Sequence, residues 1–154
     1  MLLRDWLASG DLQQWSASRE ELDRLFEIAG RDQTDAAVSD LSLDRRFATA
    51  YEAALVLATI VLRASGYRTR GSSSGHHWLT FALLPEFMGP GAEPRSRYLQ
   101  ACRRKRHQAT YERAGVATQI ELRELVSEVK SFQHEVSDWL RTAHPGLASS
   151  QEKP

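Results

Sequence analysis

The 154-residue chain predicts an all-α fold, an up-and-down helical bundle of about five helices, and three observations carry that prediction. Only nine glycines and five prolines interrupt a chain rich in Ala, Leu, Arg and Glu, residues that cost little in a helix interior. Apolar residues recur at three- and four-residue spacing over long stretches. At two of these stretches a hydroxyl residue stands three positions ahead of a Glu, the spacing at which each satisfies an orphan amide at a helix start.

Residues 1–17 read as a short N-terminal segment whose Trp6 and Trp15 need cover, from the bundle or from another chain. The bundle proper is expected over 18–144. Ser18 and Glu21 open the first helix, and Leu22, Leu25, Phe26, Ala29 and Ala36 keep one face. Ser39-Asp40-Leu41-Ser42 is a turn. Beyond it, Phe47, Tyr51, Ala54, Leu55, Ala58 and Leu62 share a face, with Val56, Leu57, Ile60 and Val61 covering the other side, so this helix is packed on most sides. Three glycines and four serines make residues 65–75 a loop. A short helix follows over His76–Met88, disturbed by Pro85 and closed by Gly89-Pro90-Gly91. A fourth runs from about Pro94 to Arg113. The fifth starts at Thr118 with Glu121 and carries Leu122, Leu125, Val129, Phe132, Val136 and Leu140 to a stop at His144-Pro145-Gly146. Residues 145–154 read as a disordered tail.

Composition narrows the function classes. One cysteine, Cys102, excludes an internal disulfide framework and a Cys-rich zinc module, and fits a reducing compartment. Charge interrupts Met1-Leu2-Leu3-Arg4-Asp5-Trp6 before a signal-peptide core can form, so a cytoplasmic location is expected. The longest apolar run, Ala53–Leu62, is about half of the roughly 20 residues a spanning helix needs, which argues against a membrane role. The 20 basic and 20 acidic residues balance, but unevenly: residues 1–47 carry 6 basic and 10 acidic, whereas 95–113 carry 7 and 1.

The fourth helix is therefore the one strongly basic element. Arg103, Arg104, Lys105 and Arg106 lie on it, and Arg106 falls toward the face of Tyr98 and Cys102, where a guanidinium needs a carboxylate, a phosphate or a partner subunit. The plainer reading pairs these arginines with the acidic first helix. The sharper reading is phosphate binding, with Tyr98, His107 and Tyr111 interleaved as groups that stack on unpaired bases.

Arg106-His107-Gln108-Ala109-Thr110-Tyr111, preceded by Arg103-Arg104-Lys105, resembles the fourth-helix signature of HEPN domains, small helical bundles of prokaryotic toxin–antitoxin and defence systems. Ser42–Phe47, Ala50–Ala54, Ala64–Arg68 and Gly75-His76-His77 also resemble the small bacterial subfamily, and the likeness spans about residues 18 to 143. The resemblance implies a homodimer whose cleft binds RNA or a nucleotide, and a partner in the form of a nucleotidyltransferase-type antitoxin. Active HEPN ribonucleases carry an Arg, usually followed by a polar residue, and a His after four intervening residues, and they cut RNA without a metal. Aligned on Arg106, the candidate catalytic set is Arg106, His107 and Tyr111, with Tyr111 where the family has its histidine. A phenol, with an ordinary pKa of about 10, is a poor general base at neutral pH. The expectation is thus RNA or nucleotide binding with weak or absent cleavage. The alternatives are an active metal-independent endoribonuclease and a non-enzymatic module docking an acidic protein through the fourth helix.

Tyr67, Arg68 and Arg70, with His76 and His77, are candidates for a second cationic surface on the cleft. Adjacent histidines point about 100° apart on a helix and have no carboxylate or thiol at ligand spacing, so no metal and no cofactor are expected. One histidine is expected to cap the third helix and the other to be exposed. Gly71–Gly75 lacks the Lys-Ser/Thr of a phosphate loop. Cys102 reads as a small buried residue.

Overall fold

Hydroxyl side chains start three of the long helices in this computed structural model, which describes residues 3–70 and 75–148. Ser18 accepts from the Glu21 amide at the start of α2 (Arg19–Ala36), and Ser42 from the Arg45 amide at the start of α3 (Leu43–Ala64). Thr118 and Glu121 complete a reciprocal capping box on α7 (Gln119–Ala143). The box at Ser18 is only half built. Glu21 turns instead to the Trp15 indole N–H (2.9 Å) and the Arg63 guanidinium (3.1 Å).

Between these helices, the element expected over 76–88 is divided into α4 (His76–Ala82) and α5 (Leu84–Met88), because Pro85 fits only the first turn of a helix. The left-handed Gly75 (φ +100°) precedes α4, which has no side-chain cap. The basic helix, α6, runs Glu93–Tyr111. Ahead of the bundle stand α1 (Leu3–Ser9) and β1 (Leu12–Gln14), and β1 pairs antiparallel with β2 (Tyr67–Thr69), Leu12 opposite Thr69. Part of the loop expected over 65–75 is thus a strand; its residues 71–74 lie outside the described set. The expected tail also starts later, since Pro145–Leu147 form a 3-10 turn and Leu147 packs on the core; 149–154 lie outside the described residues.

Polar ties between helices give their directions. Arg46 donates to the Ala36 carbonyl and Arg63 pairs with Glu21, so α2 and α3 are antiparallel. Arg106 meets Glu52, and Ala109 and Thr110 lie beside Ser42 and Ala48, so α6 runs back along α3. Arg95 reaches Glu128 and Glu135, and Lys105 reaches Glu121, so α7 runs opposite to α6. The four long helices go up, down, up and down, as an up-and-down bundle requires.

At the centre, α3 buries eleven residues, among them Tyr51, Leu57, Ile60 and Val61, each fully buried. Full burial of one such side chain contributes about 1.5–3 kcal/mol. At 22 residues α3 is long and apolar enough to cross a membrane by length and composition, but 61% of its most apolar window is buried among the other helices. A second, smaller apolar cluster lies beneath the first. Leu12, Leu62, Leu79 and Leu83 form it, covered by Leu3, Trp6 and Leu7 of the N-terminal segment. Trp6 is therefore covered by the bundle, tilted against Trp78 at 5.7 Å.

Candidate nucleic-acid interface

Helical geometry divides the basic residues of α6 among three directions, and the structure gives each direction different neighbours. Arg95 and Lys105 turn to α7, where Arg95 meets Glu128 and Glu135 and Lys105 meets Glu121 at 2.6 Å. Lys105, expected among the phosphate ligands, is thereby neutralised on the wrong side of the helix. Tyr98 and Cys102 share that side, lining a cavity of about 150 Å³, so Tyr98 is not an exposed stacking group. Cys102 is buried as expected, and burial pushes its thiol up to about 11. None of the paired cations on α6 meets α2, so the plainer expectation of neutralisation by the acidic first helix is not met.

Arg106 does turn inward. Its Nη2 donates to Glu52 at 3.0 Å, its guanidinium lies 5.7 Å from the Tyr51 ring and 5.9 Å from the Tyr111 ring, and its side chain is 22% exposed. The buried Nε has no hydrogen-bond partner. Glu52, a residue the sequence reading assigned no role, is the carboxylate an arginine on an apolar face demands. Burial raises the Glu52 pKa, Arg106 opposes the rise and Asp32 adds to it.

From α4 comes the group that spacing along α6 did not reveal. His77 Nδ1 lies 2.8 Å from the Tyr51 hydroxyl, so Tyr51 carries both His77 and Arg106. The expectation of one capping and one exposed histidine fails. Gly75 occupies the cap position, and His76 and His77 are both half-buried. His77 joins Arg106, whereas Arg68 and Arg70 do not. Arg68 stacks 4.2 Å from the Trp15 ring and bonds Gln13, and the Arg70 amide donates to the Asp11 carbonyl. Trp15 also meets Arg63, eleven residues and roughly 16 Å along α3 from Glu52. The candidates for the second cationic surface are thus divided: His77 stands at Arg106, and Arg68 lies with Trp15 and Arg63 toward the other end of α3.

The tautomer decides what His77 can do. Tyr51 is fully buried and burial raises its pKa, so its hydroxyl proton needs an acceptor. Among the described residues that acceptor is His77 Nδ1. Neutral His77 then carries its proton on Nε2 and presents a donor, not a base. Burial, then Arg106, His76 and Arg103, hold the His77 pKa below the ordinary imidazole value. The unfolded chain thus takes up the proton first as pH falls below about 6.5, and native stability falls across the window from there down to the folded-state pKa. Glu52 acts in the opposite sense at lower pH: its raised pKa means stability falls as pH rises from its unfolded value to its folded one. Urea unfolding of His77→Asn between pH 5 and 7 is expected to lack the slope His77 gives the native protein.

Arg103 and Arg104 complete the site. Arg103 bonds only Gln100, Arg104 is exposed, and neither has an ion-pair partner among the described residues. His107 and Tyr111, one turn apart, hold their rings at 5.0 Å, with Tyr111 67% exposed. No group of three or more metal-ligating side chains occurs among the described residues. The arrangement offers fixed cations and hydrogen-bond donors to an anion, with aromatic surface beside them. Comparison with protein-family models, curated proteins and solved structures gives no match.

Proposed function

We propose that the protein is a HEPN-like RNA- or nucleotide-binding protein, acting as a homodimer with weak or absent ribonuclease activity. One observation carries the reading: Arg106 is held one turn along α6 from Arg103, and neither Arg103 nor the exposed Arg104 has a carboxylate partner among the described residues. Planar forks in that number suit phosphate oxygens. Weak or absent cleavage follows from the chemistry of the same place. The resemblance puts Tyr111 where a base is needed, and His77, which shares the Tyr51 side chain with Arg106, has its Nδ1 engaged by the Tyr51 hydroxyl. A toxin–antitoxin or defence role, with a nucleotidyltransferase-type partner, belongs to the same proposal and rests on the resemblance alone.

Binding of a fluorescent RNA at 50 and 200 mM salt tests it. Three phosphate contacts give a logarithmic slope of about −2, a loss of roughly 20-fold over that range. Arg106→Ala and Arg103→Ala are each expected to weaken binding and flatten the slope. Absence of binding at 50 mM salt overturns the nucleic-acid reading, and saturable binding of an acidic protein in its place favours the docking-module alternative. Robust Arg106-dependent, EDTA-resistant cleavage overturns the claim of weak activity.

A further inference from the structure

The half-open cavity of about 150 Å³ between α3, α6 and α7 has no part in the phosphate reading. Its floor is apolar and covered: Phe47 of α3 is 2% exposed, and Cys102 of α6 is buried beside it. Tyr98 and Ala101 continue the wall along α6. An apolar cavity of about this volume accepts a group the size of benzene.

Charge enters only at the mouth. Lys105 and Glu121 pair there at 2.6 Å, each partly exposed, and the other Glu121 oxygen accepts the Thr118 amide of the α7 cap. Both oxygens of Glu121 are therefore engaged, and its charge is cancelled by Lys105. Glu124, one turn further along α7, is different. It is exposed, lines the same cavity, and has no hydrogen-bond or ion-pair partner among the described residues. Its negative charge reaches the interior of the cavity, where it raises the pKa of both the Tyr98 hydroxyl and the Cys102 thiol. An apolar floor thus lies under a rim with one uncompensated carboxylate. A hydrocarbon uses the floor and leaves the carboxylate idle, and an aromatic acid brings a like charge to it. A compact ammonium ion with an apolar body matches both.

We propose that this cavity is a binding site for a small organic ammonium ion, its benzene-sized body on Phe47 and Cys102 and its charge on Glu124. The site uses none of Arg103, Arg104 and Arg106, so it and the phosphate reading stand or fall separately.

Benzylamine, benzyl alcohol and benzoate present one ring with a positive, a neutral and a negative head group, and NMR titration of the native protein with each separates charge from fit. Benzylamine is expected to bind about fivefold more tightly than benzyl alcohol, the upper range for an exposed ion pair, and benzoate more weakly than either. Glu124→Gln, at an exposed position, removes the preference for benzylamine and leaves benzyl alcohol within about twofold. Ala101→Phe sets a ring at the mouth from another exposed position and is expected to weaken every probe at least about tenfold, with circular dichroism near native. Cys102 is the one cysteine of the chain, so its alkylation by iodoacetamide reports on this cavity alone. At about 90% occupancy, benzylamine is expected to slow that alkylation about tenfold, a readout that needs no variant to fold. Equal affinities for benzylamine and benzyl alcohol overturn the assignment of a cation, as does tightest binding of benzoate or a preference that survives Glu124→Gln. Binding that leaves Cys102 alkylation unchanged places the ligand elsewhere and overturns the site. Absence of binding at about 10 mM benzylamine, where even a poorly efficient ligand of eight heavy atoms registers, overturns it too.

Discussion

Tyr51→Ala is expected to cost about 4 kcal/mol and to dismantle the candidate site in one step. Fully buried, the ring meets Phe81 edge-on at 5.8 Å, and removal of such an aromatic side chain costs about 3–5 kcal/mol through lost burial and the cavity left behind. The same ring bears His77 through its hydroxyl and Arg106 against its face. Tyr51→Phe separates these contributions. It keeps the volume and the face, removes the partner of His77 Nδ1, and is expected to cost about 1–2 kcal/mol. Urea titrations at pH 7, monitored by circular dichroism, measure both. Equal costs for the two variants contradict an assignment of most of the energy to the ring. Unfolding in which the Ala variant loses less than about 2 kcal/mol contradicts the central place of Tyr51 in the core.

Leu12→Ala is expected to cost about 2–4 kcal/mol, a core-sized penalty from a strand of three residues. Leu12 is 1% exposed and closes the lower cluster against Leu62, Leu79 and Leu83. Its effect extends past its own contacts, since β1 brings α1 and Trp6 onto α4. The neighbouring Gln14, exposed on the same strand, serves as control, and Gln14→Ala is expected to shift stability by less than about 0.5 kcal/mol. Similar midpoints for Leu12→Ala and the native protein mean that residues before Ser18 are an appendage and not part of the fold.

Local chemistry in the sequence was enough for the long helices: three carry hydroxyl caps, and the fourth, α6, has no side-chain cap but has Pro94 in its first turn. Ser18, Ser42 and Thr118 cap within three residues of themselves, and Pro85 breaks a helix by its own geometry. The β1–β2 ribbon escaped because three residues show no alternation, and its two strands are separated by more than fifty positions. At the site, periodicity turned Arg106 inward but did not name its partner. A period states which side chains share a face, and not which face of another helix they meet. Glu52 and His77 lie 54 and 29 positions from Arg106 in the chain, and only the packing of α3 and α4 brings them to it. Proximity in sequence misled in the case of Arg68 and Arg70. Both follow α3, and that helix carries Arg68 away from Glu52 to the end where Arg63 and Trp15 lie.

The two charged or ionisable partners of Tyr51 sit on elements of very different length. Arg106 belongs to the 19-residue α6, whereas His77 belongs to the first turn of the seven-residue α4, which starts at a left-handed glycine without a side-chain cap. A helix of two turns has few internal hydrogen bonds to lose, and its opening draws on the low end of the free-energy scale within a folded protein. Fraying there detaches the imidazole while the guanidinium, its carboxylate and the bundle stay in place. The site is therefore a fixed cation with a removable hydrogen-bond donor, and its two halves belong to cooperative units of unequal stability.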